Sequence, residues 1–359
     1  MRIVLISTNA SLDMGGEAIK AFQYFDWLLK AGHDAYLLTH ERCRDALTPH
    51  FPADRLIFVT DTPLYRAAWQ SRVFRFAING LFHRDAARLC RARFSPADTI
   101  LHYLCPVSPV EPRFQPRGYR VVMGPFTGNI FYPPAFSHRM TRGRRISQRL
   151  HKPTQRLFGR IFGDKKRADV VLVSGYDRTR QSLRWAGCSP DRLVDVVDAG
   201  VSDRIAGYDR VPQTGILPRF ACSGRLVDHK GTDLAIRAIA ATRGDISLTI
   251  YGDGPERDAL ATLARDLGVT DRVTFAGWLA HQDVTDGIRA HRGYLFPSLA
   301  EANGIVMQEA MMLGVPVIAL RWGGPAHLAD DRSAVFVDPT DEAAVVAGLA
   351  RAMEHLAAD

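Results

Sequence analysis

Apolar and polar residues alternate along this chain in two rhythms. Short, nearly continuous apolar runs recur near 2–7, 35–40, 56–60, 99–104, 119–124, 168–174 and 194–198. A second series follows near 219–223, 247–252, 272–276, 293–297, 316–320 and 334–337. Runs of this length with little polar interruption predict strands buried on both faces. Elsewhere apolar residues recur at helical spacing, as over 16–31, 231–242, 255–267, 304–313 and 341–357. That spacing predicts amphipathic helices. The alternation of the two predicts an α/β fold, parallel sheets with helices on both faces.

A chain of 359 residues exceeds what one core usually supports, so two domains are expected. The stretch 202–218 carries Gly207, Pro212, Gly215 and Pro218 with few apolar residues, and is the expected linker. It separates an N-terminal domain over 1–201 from a C-terminal domain over 219–359. Two Rossmann-like domains facing each other across a cleft are the natural reading. Ligands of such sheets lie beyond the carboxyl ends of the strands.

The richest chemistry follows the run at 293–297. Glu301 and Glu309 bracket Ala302-Asn303-Gly304-Ile305-Val306-Met307-Gln308, a loop that opens a helix. Acids placed near a core need partners. The helix start between them offers free backbone N–H groups and a positive dipole end, which suit an anion. The pattern implies a phosphate with hydroxyl-bearing groups around it, as in a sugar nucleotide.

Four further turns are expected at the same ends of the sheets. Gly15-Gly16 ends the loop after the first strand and lets a backbone approach a phosphate, although a plain tight turn has the same letters. Without a G-x-G-x-x-G, a dinucleotide coenzyme is disfavoured. Arg225 and Lys230 flank the loop before a helix that Gly231 and Thr232 look set to cap. Two cations there would neutralise a diphosphate, or would be ordinary surface charges. Tyr251-Gly252-Asp253-Gly254-Pro255-Glu256 suits the wall of a nucleoside pocket or a simple turn. Trp322-Gly323-Gly324-Pro325 follows the run at 316–320.

Composition narrows the class. Apolar content of 47% and charged content of 23% describe an ordinary globular protein. Cys43, Cys90, Cys105, Cys188 and Cys222 are scattered, which suits a reducing cytoplasm and offers no zinc spacing. The start at Met1-Arg2-Ile3-Val4 is too short for a secretory leader, and no run is long enough to span a membrane. The net charge of +8 is concentrated. Residues 138–167 hold eleven Lys and Arg, including Arg144, Arg145 and Arg149, against the single acid Asp164, with apolar residues interleaved. A basic amphipathic helix or helix pair is expected there. Its apolar stripe either packs on its own domain or rests on anionic lipid. Nucleic acid is not expected, since no recognition motif accompanies the charge.

Together these residues resemble the retaining glycosyltransferases of family 4, which have the GT-B fold. The likeness is carried by Ser223-Gly224-Arg225 through Lys230-Gly231, Tyr251-Gly252-Asp253-Gly254-Pro255, Phe275-Ala276-Gly277-Trp278, and the block from Pro297 to Gly324 with its E-x7-E signature at Glu301 and Glu309. Gly15-Gly16, Gly32-His33, His102 and Gly124-Pro125 extend it more loosely into the first half.

The resemblance implies transfer of a hexose from a nucleotide-diphosphate sugar, with retention, to a glycan or lipid-linked acceptor. It implies no metal and no other cofactor. Arg225 and Lys230 would hold the diphosphate, Glu301 the donor sugar and Glu309 the ribose hydroxyls. Asn303, Gly304 and Ile305 would present backbone N–H groups, and Gly16 would approach the phosphates. Gly15, Gly254 and Trp278 complete the expected donor set, and His102 joins the catalytic one. The chain reads Glu301-Ala302-Asn303-Gly304 where relatives commonly read Glu-Gly-Phe-Gly, and His102-Tyr103-Leu104 where many carry His-x-His. The given sequence ends at Asp359 after the run 341–357, so the family's closing helix is expected to be either shortened away or supplied differently. Envelope polysaccharide or lipopolysaccharide synthesis is the expected setting, on the cytoplasmic side and peripherally membrane-bound through 138–167. A non-catalytic sugar-nucleotide binder and a GT-B epimerase are the alternatives.

Overall fold

The computed structural model describes residues 1–12, 14, 16–70, 78–105, 108–109, 111, 113–128, 131–198, 200–201, 203–212 and 215–358. Two parallel sheets dominate. The first contains β1 (Arg2–Ile6), β2 (Ala35–His40), β3 (Leu56–Val59), β4 (Thr99–Tyr103), β5 (Arg120–Phe126), β6 (Val170–Val173) and β7 (Leu193–Asp195), ordered β3-β2-β1-β4-β5-β6-β7. The second contains β8 (Arg219–Ser223), β9 (Ser247–Tyr251), β10 (Val273–Gly277), β11 (Gly293–Phe296), β12 (Val317–Leu320) and β13 (Val335–Val337), ordered β10-β9-β8-β11-β12-β13. Every apolar run named above is a strand. The reason is visible in the burial: β11 and β12 are buried at every residue, which only a sheet covered on both faces allows.

Alternate residues of each strand serve opposite faces. Phe220, Cys222, Leu248, Ile250, Ile318 and Leu320 enter one core of the second sheet, while Ala221, Tyr294, Val317 and Ala319 enter the other. Val4, Ile6, Leu101 and Tyr103 face one side of the first sheet, and Leu5 and Leu37 the other. Strand order reverses direction between β1 and β4 and between β8 and β11. These are the switch points at which loops diverge and a crevice opens.

The contacts divide the chain into two units, 1–129 with 146–198 and 130–145 with 199–359. This partition differs from the expected boundaries at 201 and 219. Residues 131–145 belong with the second unit because Phe136 is fully buried in its core and Arg139 binds Asp233 and Glu342. Part of the expected linker is likewise packed: Ile205 is fully buried, and Val211 N–H donates to the Leu313 carbonyl at 2.8 Å.

The basic segment forms one helix, Arg142–Ile161, followed by the short turn Asp164–Arg167. Its apolar residues divide into two sets. Phe158 and Phe162 pack edge to face at 5.8 Å, whereas Ile146, Leu150, Leu157 and Ile161 are 54–62% exposed. Among the described residues, no helix is long and apolar enough to cross a membrane.

Candidate active site

The expected motifs of the second half all emerge at carboxyl ends of adjacent strands. The loop after β8 carries Arg225 and Lys230, and the loop after β11 carries Glu301, Asn303 and Gly304. Because β8 and β11 are neighbours at the switch point, two segments about 70 residues apart meet there. Backbone hydrogen bonds join the loops to one another. Leu299 N–H donates to the His229 carbonyl at 2.8 Å, Leu226 N–H to Asp253 at 2.9 Å, Gly252 N–H to Gly277 at 2.7 Å and Gly324 N–H to Glu301 at 2.9 Å.

Two glycines make that approach possible. A Cβ on Gly254 would sit 2.4 Å from the Leu226 carbonyl oxygen, and one on Gly231 would sit 2.2 Å from that of Pro297. Such distances are sterically impossible, so side chains there would push the loops apart. Gly254 thus acts as a spacer that shapes the crevice.

Lys230 Nζ donates to Glu301 Oε2 at 2.6 Å, with the side chains 27% and 19% exposed. The pair is reachable from solvent. Arg225 is exposed and has no hydrogen bond or ion pair among the described residues. Arg225 and Lys230 line one recess together with Gly224, Pro297 and Ser298. The helices Thr232–Ala241 and Ile305–Met312 start beside it at Gly231 and Gly304, and no side chain caps either start. Gly231 is the N-cap residue, as its position suggested, and Thr232 is the first residue of the helix. Uncapped first turns leave N–H groups available to an anion.

Glu309 is 6% exposed, and His281 Nε2 lies 3.0 and 3.2 Å from its two carboxylate oxygens. Sequence reasoning missed His281. It opens the helix His281–Arg289 just after the Gly277-Trp278 turn, and a polar first-turn residue at the end of β10 was the available signal. Asn303 is buried and accepts from Gln308 Nε2 at 3.3 Å, and Ile305 begins its helix partly exposed. Trp278 is 74% exposed and does not line the recess.

Residues 216–356 match the model of the family described as glycosyl transferases group 1. That match lies within the second unit. Relatives with this domain include the lipopolysaccharide core biosynthesis glycosyltransferase LpsE of Rhizobium meliloti (strain 1021), 39% identical over 143 residues, or 40% of this chain and 40% of that one. A GDP-mannose-dependent alpha-(1-6)-phosphatidylinositol monomannoside mannosyltransferase of Mycolicibacterium smegmatis is 31% identical over 225 residues, 57% of each chain. The chain thus spans about half the length of the curated relatives it matches. Among solved structures, the lipopolysaccharide outer core galactosyltransferase WaaB aligns with TM-score 0.67 at 17% identity, covering 99% of this chain and 91% of that one. WaaG, a glycosyltransferase involved in lipopolysaccharide biosynthesis, gives 0.63 at 17%, covering 99% and 92%. Both likenesses establish the GT-B fold for the whole chain.

Outside the group 1 domain, the first unit places its expected residues at its own switch point. His102 lies on β4, and its Nε2–H donates to the Gly124 carbonyl at 2.8 Å. Burial outweighs that bond, which raises the pKa, and with nearby Lys20 brings it down to about 4, so the ring is neutral near pH 7. Gly16 opens the helix Gly16–Lys30, and among the described residues, apart from its chain neighbours and its own helix backbone, no atom lies within 4 Å of where its Cβ would stand. The fold leaves that space open. Gly15 lies outside the described residues. Lys20, buried on the same helix, pairs with Asp198 at 2.7 Å.

Proposed function

We propose that the protein transfers a hexose from a nucleotide-diphosphate sugar to a glycan or lipid-linked acceptor, with retention, in envelope polysaccharide or lipopolysaccharide synthesis. The observation that carries this reading is the recess lined by Arg225, Lys230 and Thr232 at one uncapped helix start, with Glu301 paired to Lys230, a second uncapped start at Gly304 in the next loop, and Glu309 deeper in the same unit. Positive groups without enough acid to balance them suit a diphosphate. Names such as LpsE, WaaB and WaaG support the envelope setting.

In the proposed reaction the bond between the anomeric carbon and the β-phosphate oxygen breaks. An acceptor hydroxyl attacks the same face of that carbon, and its proton passes to the departing phosphate oxygen. Lys230 and Arg225 stabilise the charge that accumulates on that phosphate, which is the role a metal plays in other transferases. The proposal therefore includes no metal requirement. Glu301 orients Lys230 and receives donor-sugar hydroxyls. Glu309 takes the ribose hydroxyls in place of His281, since a carboxylate accepts two hydrogen bonds readily.

The acceptor is assigned to the first unit, where a cavity of about 580 Å³ lies at the carboxyl ends of β1 to β3. His40, Arg42, Asp61 and Arg66 give it polar walls. The exposed stripe Ile146, Leu150, Leu157 and Ile161, flanked by arginines, supports peripheral contact with an anionic bilayer on the cytoplasmic side. Arg144 and Arg145 are weaker probes of that contact, because they bond to the Tyr132 hydroxyl and the Met140 carbonyl. Leu150→Glu and Leu157→Glu should abolish co-sedimentation with phosphatidylglycerol vesicles; unchanged retention removes the membrane face.

A thermal-shift screen against UDP-, GDP-, ADP- and dTDP-sugars tests the main reading. One donor class should raise the melting temperature in a concentration-dependent way. If none does at millimolar concentration, the donor assignment fails.

A further inference from the structure

A cavity of about 1230 Å³ lies in the first unit at the opposite end of its sheet from the loops described above. Its walls come from 115–119, 163–167 and 185–192, the segments that lead into β5, β6 and β7, and from the helix Arg142–Ile161. These are amino ends of strands. Substrate sites of open α/β sheets form beyond the carboxyl ends, so this cavity belongs to neither switch point.

Its charge has one sign. Arg117, Arg156, Arg160, Lys166, Arg167 and Arg192 line it, and no acid is among the lining residues. Arg192 is held by the carbonyls of Lys166 and Ala168 at 3.1 and 2.9 Å. The other five form no salt bridge among the described residues. The acids nearby in sequence are committed elsewhere. Asp164 pairs with Lys165 and accepts from Arg113 N–H, Asp169 accepts from Val121 N–H, and Asp191 accepts from the Ser189 hydroxyl. Like charges around one concavity repel, and low-dielectric walls focus their field. A bound anion would offset that cost.

The walls are also firm and partly flat. A Cβ on Gly159 would stand 2.3 Å from the Ala186 carbonyl oxygen, so the helix and the turn at 185–187 touch backbone to backbone. Trp185 adds an aromatic face. Five guanidinium forks favour phosphate oxygens, which they engage two at a time. The volume is in the range of sites for whole organic ligands rather than single small ions.

We propose that this cavity binds a multiply phosphorylated anion, either free in solution or as the head group of a lipid. The exposed apolar stripe runs along the same helix that supplies Arg156 and Arg160. The proposal is independent of sugar transfer, so either can fail alone.

Calorimetric titration of the full chain with inorganic tripolyphosphate tests it. Saturable binding is expected, weakened about tenfold or more by Arg160→Ala and by Arg167→Ala, as loss of a charge-assisted hydrogen bond predicts. Arg142→Ala removes the same charge from the same helix outside the cavity and should leave binding unchanged. Vesicles of phosphatidylcholine with cardiolipin, whose head group carries two phosphates, separate the two sources. Weaker vesicle retention by the cavity variants identifies a lipid head group, whereas unchanged retention with lost tripolyphosphate binding identifies a soluble anion. The proposal is overturned if tripolyphosphate does not bind and vesicle retention ignores both cavity variants, or if Arg142→Ala weakens tripolyphosphate as much as they do.

Discussion

Each unit holds a lysine–carboxylate pair at its switch point, and the two pairs have opposite characters. Lys230 meets Glu301 at 2.6 Å, with side chains 27% and 19% exposed. Lys20 meets Asp198 at 2.7 Å, but the lysine is only 3% exposed. Distance does not separate them. Access does: water and ligands reach the first pair, so its partners can be exchanged, while the second is fixed by the burial that makes separation costly. The same chemistry is therefore open to a ligand in one unit and closed into the architecture in the other.

Substitutions at the two lysines should separate these roles. Lys230→Ala is expected to lower single-turnover transfer by about 10²- to 10³-fold, with a melting temperature near the parent's, because a solvent-accessible pair contributes about 1 kcal/mol or less. Transfer at the parental rate would remove the diphosphate role. Lys20→Ala should do the reverse, lowering the urea-unfolding free energy by about 2 kcal/mol, because it leaves the partly buried Asp198 without its partner. An unshifted midpoint would show that pair to be dispensable.

Glu309→Ala is expected to weaken nucleotide binding about tenfold or more by calorimetry, with little change in stability. Equal affinity would take the ribose from Glu309.

A further effect concerns pH. With a pKa of about 4, His102 binds its proton more weakly in the fold than in the unfolded chain, where the ordinary value is 6.5. Its contribution is full above pH 6.5 and is lost as pH falls towards 4, up to about 3 kcal/mol. His102→Gln should flatten that part of the stability–pH curve, and an unchanged slope would mean that other groups set it.

Much of this was legible in the sequence. Buried parallel strands are continuous apolar runs, so all of those named became strands within a few residues. Glycine turns mark carboxyl ends, so Lys230 and Glu301 could be assigned to one crevice before their pairing was seen. Three features were not legible. His281 reaches Glu309 from a different strand's loop, and nothing in local spacing encodes that approach. Trp278 looked like a pocket residue, yet an aromatic beside a turn can as easily face solvent. Residues 131–145 follow a first-unit strand, but Phe136 and Arg139 find their complements in the second unit, and an apolar residue does not specify which core it enters.

That last placement bears on inheritance. The chain passes from one unit to the other near residues 129, 145 and 198. A hybrid spliced once near residue 200 would take Phe136 and Arg139 from one parent and their burial site and acidic partners from the other. The second unit is encoded in two separated pieces of the gene, and recombination between homologues can transplant it whole only by exchanging both.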